Sequence, residues 1–233
     1  MTCFTDFHTH ILPNLDDGSK SIEQSIQMLK MEAQAGVKRV VFTPHFYPHE
    51  SSIEEFVQER DKAYNRLMEA IKDIPDLPEL YLGAEVFFYR GMAASEELGQ
   101  LTIAGSPYIL VEMPMGDWTD GMYEELESLQ RNGLYPIIAH LDRYITPFHT
   151  RGIPEKLAKL PVLVQMNVDA LHTFWKRKQF LRYLKKDIVH LIGTDCHNCT
   201  TRSPKMQEAV KWTGTQLIQQ IREYEDMVFS YSR

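Results

Sequence analysis

The sequence predicts an α/β fold whose parallel sheet closes into a distorted seven-stranded (β/α) barrel. Two observations carry this: short apolar runs alternate with helical stretches along the whole chain, and nearly every one of the seven runs is followed by a helix. A third decides the domain count. No Ser/Gly-rich linker and no fixed repeat divides the 233 residues, so residues 1–233 read as one domain rather than two small ones.

The first run, 3–7, is a strand, and the turn Asp16-Asp17-Gly18-Ser19 follows it. Over 21–35 the apolar residues Ile22, Ile26, Met28, Leu29 and Ala33 recur at helical spacing, and Gly36 ends the helix. A buried strand over 37–42 stops at Thr43-Pro44. The next helix runs from about 52 to 72, with Ser52 and Glu55 spaced as a capping box, until Pro75 and Pro78 break it. Strands are expected over 80–87, 108–113, 135–139, 162–166 and 189–193. The helices among and after them are expected over 120–133, 154–160, 174–185, 204–212 and 215–227.

Composition excludes several classes. With 25 Lys and Arg against 32 Asp and Glu the formal charge is −7, which argues against a nucleic-acid binder that works by neutralising phosphates. At 43% hydrophobic and 24% charged, the chain is neither disordered nor collagen-like. No basic segment leads into an apolar core at the N-terminus, and no apolar run approaches the roughly 20 residues of a membrane span, so a soluble cytoplasmic protein without membrane insertion is expected. Three cysteines, with Cys196 and Cys199 lacking a second pair for a four-sulfur site, read as free thiols. The remaining oddity is the surplus of acids and nine histidines.

Those residues cluster at one place in the predicted fold. The first strand leads into His8-Thr9-His10 and Asp16-Asp17; the second into His45; the third into Glu85; the fourth into Glu112; the fifth into His140; the seventh into Asp195 and His197. The sixth offers Gln165 and Asn167 instead. Ligands of parallel α/β sheets bind at the carboxyl ends of the strands, the end where these residues fall. Residues i and i+2 of a strand share a side, so His8 with His10, and Asp195 with His197, suit one ion each. Taken singly, each has a plainer reading: a strand histidine satisfied by backbone, a glutamate in an ion pair, an aspartate in a turn. Taken together, five His and four carboxylates are too many for one ion, and two or three divalent cations would offset the charge. Imidazole and carboxylate without thiolate suit Mn²⁺, Fe²⁺ or Zn²⁺. His49, His149 and His172 fall outside the pattern, and His190 lies in an apolar strand as a core residue.

The ordered motifs His8-x-His10, Asp16-Asp17-Gly18, Thr43-Pro44-His45, Gly83-Ala84-Glu85, Glu112, Ala139-His140 with Arg143, and Asp195-x-His197-Asn198 with Arg202 resemble the polymerase-and-histidinol-phosphatase (PHP) superfamily. Within it the chain is similar to the bacterial capsule and exopolysaccharide tyrosine phosphatases. The resemblance implies a trinuclear Mn²⁺-type centre and hydrolysis of phosphotyrosine on protein, in particular the tail of a bacterial tyrosine kinase controlling polysaccharide export. It implies that His8, His10, Glu85 and Asp195 hold one ion, that Glu85, Glu112 and His140 hold a second, and that Asp17, His45 and His197 hold a third. Arg143 and Arg202 match the arginines that grip phosphate. One departure is Leu141-Asp142, where many members have Pro-Glu; another is the loop Phe46-Tyr47-Pro48-His49-Glu50, where some are basic.

The expected chemistry is attack of a metal-activated hydroxide on phosphorus, with the arginines on the phosphate oxygens. A phenolate leaving group, of intrinsic pKa near 10, needs less proton donation than an alkoxide; no dedicated acid stands out, and the candidate donors are His45 or His197, where not fully committed to metal, or a metal-bound water. Four rivals stand beside this reading, one of them a polymerase-associated exonuclease, which the net charge of −7 opposes. Cys196 and Arg202 form a Cys-x5-Arg, the spacing of thiol-dependent phosphatases, but the loop between them lacks glycine. A histidinol-phosphatase-like small-molecule phosphoesterase would share every ligand. A non-catalytic metal-binding module would keep the fold without turnover.

Overall fold

The first strand, β1 (Phe4–Thr9), is buried along its whole length and runs parallel to β2 (Val37–Phe42). In the computed structural model, which describes residues 4–145 and 152–231, the other strands are β3 (His45–Phe46), β4 (Glu79–Leu82), β5 (Glu85–Phe87), β6 (Tyr108–Glu112), β7 (Tyr135–Ile138), β8 (Leu163–Asn167) and β9 (Leu191–Gly193). The helices are α1 (Ile22–Gln34), α2 (Ile53–Ile71), α3 (Asp120–Arg131), α4 (Leu141–Tyr144), α5 (Ile153–Leu157), α6 (Phe174–Lys185), α7 (Gln207–Trp212) and α8 (Thr215–Phe229). Short 3-10 turns occupy 92–105 and 168–171, and neither these nor α4 was expected from periodicity, because a single turn is too short to show one.

All strand pairs are parallel, and every described β7-to-β9 neighbour is joined through a helical or 3-10 crossover. Nine strand segments appear where seven continuous strands were expected. The difference has a local cause. Pro44 has no N–H for the ladder, so the second expected strand ends at Phe42 and resumes as β3; the third divides at Gly83-Ala84 into β4 and β5. The pieces sort into a three-stranded sheet, β1-β2-β4, and a six-stranded sheet, β3-β5-β6-β7-β8-β9. Gly83 N donates to Phe42 O at 2.9 Å and Glu85 N to Pro44 O at 3.0 Å, so hydrogen bonding continues across both breaks. On the other side β9 meets β1: Asp195 N donates to His8 O at 2.7 Å and His10 N to Cys196 O at 2.9 Å, beside a parallel bridge of Thr9 and Cys196.

Side chains from six strands, Phe7, Val41, Leu110, Ile137, Leu163 and Leu191, pack into one buried cluster with Val228 of α8. Leu163 and Leu191 open their strands, so this apolar plug sits toward the amino ends and leaves the carboxyl ends for polar residues. The larger cluster lies between strands and helices and runs in sequence from Phe4 to Ile221. Helix α2 illustrates how sequence sets an element. The Ser52 hydroxyl accepts from Glu55 N, the Glu55 carboxylate accepts from Ser52 N, and Phe56, Ala63, Leu67 and Ile71 form the buried face. Such a cap contributes about 1 kcal/mol. Helix α1 ends where Gly36 takes φ +83°, a conformation that costs a side-chain-bearing residue strain. Among the described residues no helix is long and apolar enough to cross a membrane.

Candidate metal centre

Strand alternation alone would not bring His8 and His10 to the face that Phe7 shares with the plug. The register of β1 against β2 shifts between Asp6 and Thr9, and this irregularity changes the phase of the strand just before the rim. His8 Nδ1 then lies 3.2 Å from Gln165 Oε1, and His8 Nε2 lies 3.2 Å from His10 Nε2. Gly193 on β9 makes room for this approach. A Cβ there would fall 2.6 Å from His8 Cβ and 2.9 Å from Gln165 Nε2. Gly18 plays the same part in the following loop, where a Cβ would meet the His10 carbonyl oxygen at 2.2 Å. The loop therefore folds flat onto His10, with Ser19 N donating to His10 O at 3.0 Å.

Glu85, at 1% exposure, is the hub. Its Oε2 lies 3.0 Å from His8 Nε2, 3.3 Å from His10 Nε2 and 3.0 Å from His45 Nδ1; its Oε1 lies 2.8 Å from His140 Nε2. Glu112 borders this group, 3.5 Å from His140 Nε2 and 3.9 Å from His45 Nδ1. Asp195 Oδ1 is 3.7 Å from His8 and 3.5 Å from His10. Asp17 lies at the outer side, 3.1 Å from His197 Nε2 and 3.5 Å from His45 Nε2. All nine residues expected at the rim are thus brought together. Three overlapping groups have donor atoms close enough to share an ion: His8, His10 and Glu85; His45, Glu85 and Glu112; and His10, Asp17, His45 and His197. They differ in detail from the expected sets, with His45 beside Glu112 and His10 beside His197.

The donor set fits divalent cations. Buried polar atoms normally find partners, yet Glu85 Oε2, His45 Nδ1 and His197 Nε2 have no hydrogen bond among the described residues. They crowd against other donors instead, Glu85 Oε2 3.0 Å from His45 Nδ1 and His197 Nε2 3.1 Å from Asp17 Oδ1, as nitrogen and oxygen donors of the kind that Mn²⁺, Fe²⁺ and Zn²⁺ take. Two of the nine residues sit in left-handed backbone: His140 has φ +33° and Asp195 φ +53°. Each lies two residues beyond the end of its strand, and non-glycine residues hold such conformations where the surroundings over-determine them.

Electrostatics follow from burial and crowding. Burial pushes Glu85 and Asp195 toward protonation, but the imidazoles around them outweigh it and hold both carboxyls well below the usual range. Burial likewise opposes charge on His140, and the Glu112 and Glu85 carboxylates override it, raising its pKa to about 9. His197 goes the other way, down to about 4, because burial and then the neighbouring His10 disfavour its cation. An imidazole neutral at pH 7 has a free lone pair, the form a metal ligand needs.

Residues the sequence offered only in passing surround this centre. Asp16, one position before Asp17, accepts from His10 Nδ1 at 2.7 Å, from Gly18 N at 2.9 Å and from His45 N at 3.1 Å. Gln165 Oε1 also accepts His140 N at 2.7 Å, and Asn167 Nδ2 donates to Asp195 Oδ2 at 3.0 Å. The sixth strand position, lacking acid or imidazole, thus orients donors from the others. Asp142, the departure noted above, accepts Asn167 N at 2.9 Å. A layer below, Asp6 accepts from His8 N at 3.1 Å, from Thr194 N at 2.9 Å and from the Thr194 hydroxyl at 2.5 Å, tying β1 to β9 next to their site residues.

Arg143 and Arg202 stand at the mouth, each about a third exposed. Arg143 bonds Asp195 Oδ2, and Arg202 Nη2 donates to Asp195 Oδ1 at 2.7 Å. Beside them Tyr47 stacks on His45 with centroids 5.2 Å apart and lies 5.8 Å from the Phe87 ring, forming an aromatic wall that the sequence did not single out. Cys196 points elsewhere. It is fully buried beside Glu32, and burial together with the Glu32 and Asp6 carboxyls pushes its thiol well up, the opposite of an activated nucleophile. Cys196 and Cys199 are both free. His190 is a core residue whose Nδ1 accepts from Val164 N at 3.0 Å, while His49 and His172 are on the surface and His149 lies outside the described residues.

Comparison with known proteins agrees with this architecture. A crystal structure from work on YwqE of Bacillus subtilis and CpsB of Streptococcus pneumoniae, described as metal-dependent tyrosine phosphatases, superimposes with a TM-score of 0.82 at 24% identity, covering 99% of this chain and 96% of that one. The tyrosine-protein phosphatase YwqE of Bacillus subtilis is 31% identical over 219 residues, which is 88% of this chain and 82% of that protein. The tyrosine-protein phosphatase CpsB of Streptococcus pneumoniae is 28% identical over 219 residues, 88% of this chain and 87% of that protein. Residues 4–229 match the family described as capsular polysaccharide synthesis, CpsB/CapC. The chain belongs to the CpsB/CapC family of capsular polysaccharide synthesis.

Proposed function

We propose that this protein is a metal-dependent tyrosine-protein phosphatase that hydrolyses phosphotyrosine on a protein partner, a bacterial tyrosine kinase of capsule or exopolysaccharide synthesis, in the cytoplasm. The relatives named above carry that activity in their names. The single observation that supports it most is the crowding of buried Glu85 Oε2, His45 Nδ1 and His197 Nε2, none of them hydrogen-bonded, among the other carboxylate and imidazole donors, with two arginines at the mouth. Residues 1–233 act as one domain, and the strand segments correspond to seven positions of a distorted barrel.

In this reading His8, His10, Glu85 and Asp195 hold one cation, Glu85, Glu112 and His140 a second, and Asp17, His45 and His197 a third, with Mn²⁺ as the ion. Such ions supply an acidified water as nucleophile and positive charge against the phosphate oxygens. The protein's own residues do the rest. Arg143 and Arg202 present planar N–H pairs that exchange Asp195 for phosphate oxygens, fixing the phosphorus for in-line displacement. Tyr47 and Phe87 border the phenyl ring and keep water from its face. His197, neutral at pH 7, acts as a ligand; His45, next to the aromatic wall, is the imidazole nearest the departing phenolate.

The test is turnover of metal-stripped protein reconstituted with Mn²⁺ on a phosphotyrosine peptide and on histidinol phosphate. A higher kcat/KM on the peptide is expected; preference for histidinol phosphate would replace this reading with a small-molecule phosphoesterase.

A further inference from the structure

Helix α6 departs from the rest of the chain in charge and in exposure. Between 174 and 186 lie six of the chain's 25 Lys and Arg, with no Asp or Glu, in a protein of net charge −7. None of these six makes an ion pair with a described acid, whereas Arg39, Lys62, Lys72, Arg131, Lys156 and Lys205 each do. The helix opens with two aromatic residues turned to solvent, Phe174 at 62% and Trp175 at 75% exposure. Its apolar face is already satisfied, because Phe180, Tyr183 and Leu184 are buried and the Arg177 guanidinium lies 3.6 Å from the centroid of the Trp212 ring. The exposed aromatics are therefore not packing residues left over from the core.

The helix also stands in a particular place. β8 ends at Asn167, which bonds Asp195 in the centre, and α6 begins seven residues later on the same rim. The intervening turn is tied to the loop that carries Arg202 by Lys205 Nζ and Asp169 Oδ1, 3.4 Å apart. Trp175, Lys178, Gln179 and Arg182, spaced as one helical face, line a shallow cavity of about 370 Å³. A concave site of Trp, Lys, Gln and Arg takes an anionic group on one side and a flat apolar one on the other.

We propose that this face of α6 is a docking surface for an acidic segment of the substrate protein, rich in Asp and Glu and lying beside the phosphotyrosine that enters the metal centre. The proposal rests on the phosphotyrosine reading above for its substrate but not for its binding chemistry. Charge complementarity selects the occupant: cations without an ion-pair partner among the described acids attract an acidic peptide and oppose a symmetric contact of this face with itself in a second copy. The cavity favours inserted side chains over the flat surface of a bilayer, which makes membrane binding the competing outcome.

The experiment uses the full Mn²⁺-reconstituted chain, with the variants Trp175→Ala and the double charge reversal Lys178→Glu/Arg182→Glu. All three proteins should hydrolyse para-nitrophenyl phosphate equally, which shows that the variants fold and that the centre is intact. On a phosphotyrosine peptide with Glu and Asp on both flanks, each variant should raise KM by roughly tenfold at constant kcat. On the same peptide with Gly and Ser flanks they should match the unaltered protein. A fluorescent Glu/Asp-rich peptide without phosphate, followed by anisotropy, reads docking independently of catalysis; binding should weaken with added salt and vanish in the charge reversal. Equal anisotropy in all three proteins overturns the docking surface, whatever the activity shows. Absence of peptide turnover with anisotropy binding retained would instead remove the phosphotyrosine reading and leave the surface. Sedimentation with phosphatidylglycerol vesicles, lost in the variants while peptide binding is unchanged, would overturn the peptide occupant in favour of a membrane.

Discussion

The Asp16 carboxylate lies 2.7 Å from His10 Nδ1 and accepts a hydrogen bond from it, so His10 presents Nε2 to Glu85 and Asp195 at 3.3 and 3.5 Å. Adjacent aspartates therefore have different tasks. Asp17 reaches His197 and His45 at the outer side, whereas Asp16 fixes a tautomer and braces the backbone of Gly18 and His45.

Removing that brace should loosen the metal without removing a donor. Asp16→Ala is expected to weaken Mn²⁺ affinity by roughly 10–100-fold. Competition with a chromogenic chelator measures it, and an affinity equal to that of the unaltered protein would show that His10 needs no partner at Nδ1.

Metal uptake should release protons. Burial disfavours charge on His10 and His140, yet their carboxylate neighbours hold both raised, His140 to about 9. A cation must displace those protons, so affinity should rise with pH up to about 9, by about tenfold per unit for each proton displaced. Calorimetry at pH 7 in buffers of different ionisation enthalpy counts the protons; a heat independent of buffer would contradict the prediction.

Cys196 should be dispensable for chemistry. It is buried against Glu32, away from the arginines, so Cys196→Ala should keep para-nitrophenyl phosphate hydrolysis within roughly tenfold. A chelator should abolish the same activity. The reverse pattern would establish a thiol mechanism.

The aromatic wall should discriminate aryl from alkyl esters. Tyr47→Ala removes the ring stacked on His45 and facing Phe87, and should lower kcat/KM on a phosphotyrosine peptide by up to about tenfold. Hydrolysis of a phosphoserine peptide, however slow, should not change. A parallel loss on both esters would assign Tyr47 to packing around His45 alone.

Glu225 on α8 should make the fold less stable as pH rises from mildly acidic to neutral. It is fully buried, with its carboxylate accepting from Thr5 N at 2.9 Å, from the Thr5 hydroxyl at 3.1 Å and from Arg39 Nη2 at 3.2 Å. Burial outweighs these bonds and raises its pKa from 4.5 to about 7. A carboxyl raised on folding stabilises fully below its unfolded pKa, and that contribution is lost as pH climbs from 4.5 through 7. The loss amounts to roughly 3 kcal/mol. Urea denaturation between pH 4.5 and 8 should show the decline, and Glu225→Gln should flatten it; identical slopes in both proteins would rule the group out.

Much of this molecule is legible in its sequence for a physical reason. Helix α2 starts where Ser52 and Glu55 form a reciprocal cap, and α6 spans the residues its periodicity marks, because caps and amphipathic spacing act within a turn or two. The donor types are equally local. Imidazoles and carboxylates directly after successive apolar runs fall at the carboxyl ends of parallel strands whichever way the sheet closes. Strand continuity is less local: β2 ends before Thr43-Pro44 as its sequence indicates, whereas Gly83-Ala84 divides a strand whose length the apolar run over 80–87 overstates.

What only the tertiary structure decides are relations between residues far apart in the chain. The shift of register in β1 turns His8 toward Gln165, Gly193 lets them meet, and β9 closing on β1 sets Asp195 against His8 and His10. Asp16 and Asp17 are equivalent as letters and part company only when Gly18 lays the loop against His10. Cys196 and Arg202 have the spacing of a thiol phosphatase, yet the bridge to Thr9 buries the sulfur and leaves the guanidinium at the mouth. Sequence determines which groups are available and at which end of the sheet. Their distances, partners and protonation come from packing, because burial and charge act through space between segments that the chain keeps apart.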